Sequence, residues 1–443
     1  MENAMISRRT FVNGIAAGVA GSALASQAKS YAQIVGANDR LNFAICGLNG
    51  RGYAHLSALQ ANKQIARVAY VCDPDDKVRA KFATAAQQAL GEAPTAVRDF
   101  RKALESKDVD AITVATPDHW HTPMAVYGLK AGKNVYVEKP SSHNAREGEL
   151  LVEAQRKYGK CVQVGDQQRS SLHTIKMIQQ IHDGFIGEAY MAKAWYANTR
   201  KTIGIGKPAP VPEDLDWDLW QGPAPRHEYM SNMHPYNWHW FRRYGTGETL
   251  NNGTHEVDIA RWALGVEYPD VVTAIGGRYQ DKDDWEFYDT LVTDFRYPNK
   301  TLSWEGRCCN GMKLYNRDRG CVIYGTKGSV VIDRGGYDVF DWHGKQTDQF
   351  RTGKETSSSD LVGRDSMTDA HFANFINSVK GTEKLHSPIE IANVSVTMLL
   401  ISNISYFVNR ELKLDNKTGH ILNDPEAMKQ WGRSYEKGWE VTV

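Results

Sequence analysis

Between Leu41 and Gly165 one pattern recurs: a short apolar run, a turn, a stretch of helical character, and another apolar run. The runs are LNFAICG (41–47), RVAYVCD (67–73), DAITVATP (110–117), NVYVEKP (134–140) and KCVQVG (160–165). They are apolar almost throughout rather than alternating, which predicts strands covered on both faces. Between them lie LNGRGYAHLSALQ, a loop opening a helix, HTPMAVYGLKAG, closed by Gly132, and AREGELLVEAQRKYG. Strands alternating with helices of this length predict parallel βαβ units with helices on both faces of the sheet.

The first strand runs into Gly47-Leu48-Asn49-Gly50-Arg51-Gly52. Glycines hold the first and last positions of a G-x-G-x-x-G turn, but Asn49 takes the middle one, where glycine normally lets the backbone approach a pyrophosphate. Either Gly50 supplies that approach, or Asn49 adopts the left-handed conformation it tolerates better than most residues. The helix that follows offers free N–H groups and a partial positive charge to a phosphate. Asp73 ends the second strand, where a carboxylate accepts hydrogen bonds from ribose hydroxyls and repels a 2′-phosphate. Pro74 and Asp75 follow, with no Arg or Ser adjacent, so NAD is favoured over NADP. Gly47, Asn49, Gly50, Arg51, Gly52 and Asp73 are the expected cofactor contacts, and the fold class is α/β with an N-terminal Rossmann domain over 36–165.

Glu138-Lys139-Pro140, at the end of NVYVEKP, resembles the tripeptide that the Gfo/Idh/MocA oxidoreductases place beside the nicotinamide. TPDHWH (116–121) is similar to the family's preceding nucleotide loop, and LDWDLWQGPAP (215–225), NNGTHEVDIARWALG (251–265) and HFANFINSVKG (371–381) resemble later segments in order. The resemblance adds Thr116, Pro117, His121, Glu138 and Lys139 to the cofactor contacts. It implies a second domain, 166–443, of α+β type with a large, open, mostly antiparallel sheet, and association into a homodimer or homotetramer through that sheet's outer face. The residues support such a sheet themselves: EAYMAKAWYAN (188–198), DVVTAIGGRY (270–279), YDTLVTDFRY (288–297), KTLSWEGRC (300–308) and GCVIYGTKGSVVID (320–333) read as strands, the last folded at Gly325–Gly328.

In the family a lysine of the EKP motif and a histidine one helical turn after an aspartate carry the proton chemistry. Carried over, these fall on Lys139, His255 and Asn251. His255 lies one helical turn beyond Asn251, so both share a helix face. Imidazole titrates near working pH and suits a general base. Lys139 would hydrogen-bond the reacting oxygen. Asn251 is the departure: an amide cannot act as a base. Asp258 reads as a structural helix residue rather than a replacement acid. Tyr236, Trp238 and His239, in HPYNWHWFRRYG (234–245), offer apolar rings beside polar donors, the surface a sugar needs. An aromatic core patch is the alternative reading. Arg169 is the fourth expected substrate contact, with a surface salt bridge as the alternative reading. No histidine spacing is diagnostic of a closed zinc site, and no metal is assigned.

Ser7-Arg8-Arg9-Thr10-Phe11, then an apolar Gly- and Ala-rich run with small-x-small cleavage sites ending at Ala25 or Ala28, resembles a twin-arginine export signal over 1–35. Val12 and Asn13 stand where Leu and Lys are usual. The run is too short for a comfortable membrane span, so none is expected after its removal. Six cysteines form neither a CxxC pair nor a disulfide framework, which fits folding before export. With 53 basic and 52 acidic residues and no long basic run, a nucleic-acid partner is excluded. The expectation is an exported, NAD-dependent oxidoreductase acting on a ring hydroxyl of a sugar or glycoside. Free nicotinamide nucleotide is absent outside the cytoplasm, so the cofactor must be carried along and recycled in place. The alternatives are an NAD-dependent glycoside hydrolase working by transient C3 oxidation and elimination, whose pattern NNGTHEVD does not match, and a cofactor-retaining binding protein.

Overall fold

The computed structural model describes residues 40–352 and 365–443. The expected leader, 1–35, lies outside them. Six parallel strands form the first sheet: β1 (Leu41–Cys46), β2 (Ala66–Cys72), β3 (Thr95–Val97), β4 (Ala111–Val114), β5 (Asn134–Val137) and β6 (Val162–Val164), in the order β3-β2-β1-β4-β5-β6. Phe43, Ala44 and Ile45 of β1 are fully buried, as an apolar run covered on both faces requires. The order reverses between β1 and β4, and a crevice opens there at the carboxyl ends of the strands. The helix Ala145–Tyr158 starts where the Asn144 side chain accepts the Glu147 N–H and stops at left-handed Gly159.

The second sheet has nine strands: β7 (Ala189–Ala197), β8 (Val271–Gly277), β9 (Thr290–Arg296), β10 (Thr301–Arg307), β11 (Arg319–Gly325), β12 (Gly328–Asp333), β13 (Gly336–Asp341), β14 (Gln346–Arg351) and β15 (Leu412–Lys413). Their order is β14-β13-β12-β11-β7-β10-β9-β8-β15. Only β7 and β10 pair in parallel; the other neighbours are antiparallel. Leu302 and Trp304 of β10, with Phe295 of β9, point inward from alternate positions onto the helices Gly247–Leu264 and Ile389–Val408. The latter is long and apolar enough to cross a membrane by composition alone, yet Val396, Met398, Leu399 and Ile401 are fully buried in this core.

The chain beyond residue 365 returns to the first sheet. Phe372, Phe375 and Ile376, on the helix Ser366–Val379, pack with Phe43 and Tyr136. All six cysteines are free thiols, with Cys46 and Cys72 buried in the first sheet.

Candidate active site

Residues from both sheets line one cleft of about 340 Å³ at the switch point. Its Rossmann side is the glycine turn. Gly47 has φ 84°, and a Cβ there would meet the Ala115 carbonyl oxygen at 2.5 Å. A Cβ on Gly52 would meet the Gly47 carbonyl oxygen at 2.4 Å, so this glycine lets the helix Arg51–Ala61 close onto β1. Gly50 has φ 50°, its Cβ position faces open space, and it begins the helix without any side-chain cap. Gly50 therefore supplies the approach. Asn49 is not left-handed; its Oδ1 accepts the Gly50 N–H at 3.1 Å. The uncapped helix end and the open glycine fit a pyrophosphate.

Asp73 accepts the N–H groups of Leu48 and Asp75, both at 2.9 Å, so it ties the glycine turn to β2. Burial pushes its carboxyl up to about 6, against those two amides. Each carboxylate oxygen keeps a lone pair for a ribose hydroxyl. Arg98, on the same wall, is paired with Asp76 at 2.6 Å.

Thr116 and Pro117 lie in the turn after β4, but Asp118 to His121 form the first turn of the helix Asp118–Lys130 rather than a loop. His121 sets its ring nitrogens against the carbonyl oxygens of Pro140, at 2.6 Å, and Thr116, at 2.8 Å, pinning β4 and β5 ends together. Glu138 Oε1 accepts from Arg51 Nε at 2.8 Å and Gln167 Nε2 at 3.2 Å, with His55 Nε2 at 3.0 Å. Burial favours its neutral form, but Arg51 and then His55 outweigh it and hold the carboxyl well below its usual range. Glu138 thus fixes Arg51 against the cleft.

Lys139, after β5, meets Asn251 and His255, on the helix Gly247–Leu264, in the same cleft. Lys139 Nζ donates to the Asn251 carbonyl oxygen at 2.6 Å and to its Oδ1 at 3.2 Å. Burial lowers the Lys139 ammonium, against Glu138 and Asp118. Burial, then Arg334, Lys139 and Arg319, hold the His255 imidazole well below its usual range, so it is neutral and able to accept a proton. Behind it, His255 Nδ1 stands 4.0 Å from Asp166 Oδ1, a buried oxygen with no hydrogen-bond partner. Burial and then Asp258 push the Asp166 carboxyl up to about 8. Sequence reasoning passed over this acid. The available signal was its place just after β6, since the carboxyl ends of these strands gather at the crevice.

Arg169, expected in the cleft, is not there. Its guanidinium is buried in a two-pronged pair with Asp258 at 2.5 and 2.9 Å. Asp258 also accepts from Ser395 at 2.8 Å, which makes both groups structural. Tyr236, Trp238 and His239 do line the cleft, whereas the neighbouring Trp240 packs into a core with Trp285 and Phe287. The two readings of this aromatic stretch thus divide between its residues. Trp238 stacks on His239 at 3.6 Å, and the His239 Nδ1–H donates to the Tyr236 carbonyl at 2.7 Å, leaving Nε2 as an acceptor. Burial lowers this imidazole to about 3.

A glycine turn at the switch point, an acid closing β2, and Lys139, Asn251 and His255 in the same cleft define a dinucleotide-binding oxidoreductase fold. Residues 41–166 match the model of an oxidoreductase family with an NAD-binding Rossmann fold, and 174–331 match the GFO/IDH/MocA C-terminal domain; the chain belongs to this family. It is 28% identical over 299 residues to an inositol 2-dehydrogenase of Rubrobacter xylanophilus, covering 67% of this chain and 72% of that protein. It is 29% identical over 176 residues to a glycosyl hydrolase family 109 protein of Saccharopolyspora erythraea, 39% and 38% of the two chains. The match to an oxidoreductase of Bacillus subtilis, YrbE, spans 58% of that relative's length. Levoglucosan dehydrogenase, solved with NADH and L-sorbose, superposes with a TM-score of 0.66 at 17% identity, over 85% of this chain and all of its own.

Proposed function

We propose that the chain is an NAD-dependent oxidoreductase that converts a ring hydroxyl of a sugar or glycoside to a keto group. The observation that carries this reading is the single cleft shared by the glycine turn and by Lys139, Asn251 and His255. When bound, NAD supplies a two-electron acceptor for the carbinol carbon. The neutral His255 imidazole takes the hydroxyl proton at Nε2, the nitrogen turned away from Asp166. Lys139, held only by uncharged groups of Asn251, donates to the same oxygen as negative charge builds there. Asn251 orients Lys139 and takes no proton. Trp238 and Tyr236 offer ring surface to the sugar's C–H face, and His239 Nε2 accepts from one of its hydroxyls. The dehydrogenases of inositol and levoglucosan among the similar proteins support a polyol substrate.

The leader-like Ser7–Phe11 segment and the unbridged thiols support export of the folded, cofactor-loaded protein. A second substrate would then return the nucleotide to its starting redox state without its leaving. Exposed Ile275 and Tyr279 on β8 and the turn after it support pairing of copies through the second sheet. The likeness to the family 109 hydrolase supports a second reading, glycoside cleavage through transient oxidation at C3. Release of a glycosidic leaving group without net NADH would distinguish it.

Denaturing the purified protein and identifying the released nucleotide tests the main reading. NAD or NADH is expected at about one molecule per chain, as one Rossmann turn can hold. Lys139→Met is expected to keep that nucleotide and lower sugar turnover by roughly two to four orders of magnitude. A nucleotide-free protein indifferent to added NAD overturns the reading.

A further inference from the structure

The cations around the reacting centre are unequally matched. Arg51 is paired with Glu138 at 2.8 Å, and Arg319 grips Glu256 through two contacts at 2.7 and 3.0 Å. Among the described residues Lys139 hydrogen-bonds only to the neutral Asn251, with the carboxylates of Glu138 and Asp118 acting on it without a direct pair. Arg334, on the turn between β12 and β13, lines the cleft and has no hydrogen-bond or ion-pair partner among the described residues. The carboxylates that feel it are engaged elsewhere: Glu256 by Arg319, and Asp365 by the Met367 N–H at 3.0 Å and the Thr368 hydroxyl at 3.0 Å. Arg334 is half-buried, and burial and then Arg319 pull its guanidinium down to about 10, as befits a cation facing another cation. After burial, it is the largest influence on His255, so it stands beside the reacting centre.

A guanidinium in that setting is stabilised by an oxyanion, which it binds through two parallel N–H donors. The oxidised nicotinamide ring is itself positively charged, and its carboxamide offers Arg334 a neutral acceptor but no anion. The pyrophosphate has its own helix end at Gly50, on the other sheet. We infer that the substrate is an acidic sugar, whose carboxylate or sulfate pairs with Arg334 while a ring hydroxyl meets Lys139 and His255. The inference rests on the carbohydrate reading above and narrows it. A charged substrate also explains how a guanidinium without an ion-pair partner among the described residues is tolerated in the cleft: the partner arrives with the ligand and leaves with the product.

Binding to the nucleotide-loaded protein tests this with matched pairs: D-glucuronate against D-glucose, D-galacturonate against D-galactose, D-mannuronate against D-mannose, and glucose 6-sulfate as a second oxyanion source. Calorimetric titration is expected to show at least one acidic member binding roughly tenfold or more tighter than its neutral partner, a preference that weakens as salt rises. Arg334→Gln should abolish the preference, Arg334→Lys should restore part of it, and both should retain their nucleotide. Uronate and sulfate binding alike assigns a general oxyanion site, and uronate alone a planar carboxylate site. Neutral sugars binding as well as acidic ones, or Arg334→Gln weakening both members of a pair equally, overturns the inference and leaves the carbohydrate reading standing. Loss of nucleotide in Arg334→Gln and Arg334→Lys overturns it by assigning the guanidinium to the cofactor. No sugar of either kind binding while the nucleotide is present overturns both.

Discussion

Replacing Asp166 with asparagine removes a carboxyl, not a shape, from behind His255. Asp166 is buried; its Oδ2 accepts the Ser387 hydroxyl at 3.1 Å, and its Oδ1 faces His255. Burial, then Asp258, raise it to about 8 against the pull of Arg169 and Ser387, and Glu138 adds a further upward push. In the unfolded chain the same group titrates near 4. Between those values the folded protein holds a proton that the unfolded chain has released, so this contribution to stability is complete below about pH 4 and is lost as pH rises through 8. The slope is about 1.4 kcal/mol per pH unit, which between pH 6.5 and 8 amounts to roughly 1–2 kcal/mol after allowing for partial ionisation at the upper end. His255 acts alike in the two proteins: its folded value is depressed, and the unfolded imidazole, half protonated at about pH 6.5, loses its proton over the same interval in both. Other titrating groups, Cys309 among them, are common to both proteins. Urea unfolding with NAD saturating, at pH 6.5 and 8, should show the wild type losing roughly 1–2 kcal/mol more than Asp166→Asn over that interval. Parallel losses in the two proteins would refute a proton held on Asp166. A second readout separates positioning from packing. Ionised Asp166 steadies the imidazolium that His255 becomes, so wild-type turnover should climb through pH 8 and the asparagine variant should lack that limb.

Gly52→Ala places a methyl 2.4 Å from a backbone carbonyl that cannot move without the glycine turn. A destabilisation of about 1–3 kcal/mol and loss of nucleotide from the purified protein are expected; full nucleotide content with unchanged melting would contradict the close approach of helix and strand. Arg169→Met strands Asp258 beside Arg261 at 3.7 Å and the Ser395 hydroxyl. Unfolding should come about 3 kcal/mol earlier, with KM for the sugar unchanged in the folded fraction; a raised KM without lost stability would return Arg169 to the cleft.

The Rossmann strands were legible because each is a continuous apolar run closed by a turn residue, and burial on both faces demands that composition. β3, Thr95–Val97, escaped notice because its first two residues are exposed and three residues carry no period. β14, Gln346–Arg351, is exposed along its whole length and owes its place to pairing with β13, which no side-chain pattern records. The helix Ile389–Val408 is apolar on every side, so it shows no helical stripe to read. In the site the same division holds. Lys139 and His255 sit in segments with a recognisable order, while Asp166 and Arg334 acquire meaning only when β6 and the β12–β13 turn are brought to His255. Arg169 drew attention instead, being the charged residue of the same short stretch. The 3-10 turn Gln167–Ser170 that follows Asp166 then separates the two: the acid stays against His255, and the arginine is carried to Asp258.

Asn251 connects these pieces. An aspartate at that position, as the family resemblance leads one to expect, would put a negative charge against Lys139 and beside His255. The amide keeps the hydrogen bonds to Lys139 and removes the charge. Two consequences follow from Coulomb's law at short range in a poorly solvated cleft. His255, surrounded by Arg334, Lys139 and Arg319, becomes a reluctant proton acceptor, and the nearest described carboxyl able to offset that is Asp166, displaced from the cleft wall to the far side of the ring. Lys139 and Arg334 remain without a direct ion pair among the described residues on the substrate side. Substituting Asn251 with aspartate therefore pulls two ways: it should make His255 a stronger base while weakening the hold on any anionic ligand, because the new carboxylate competes for the same two cations.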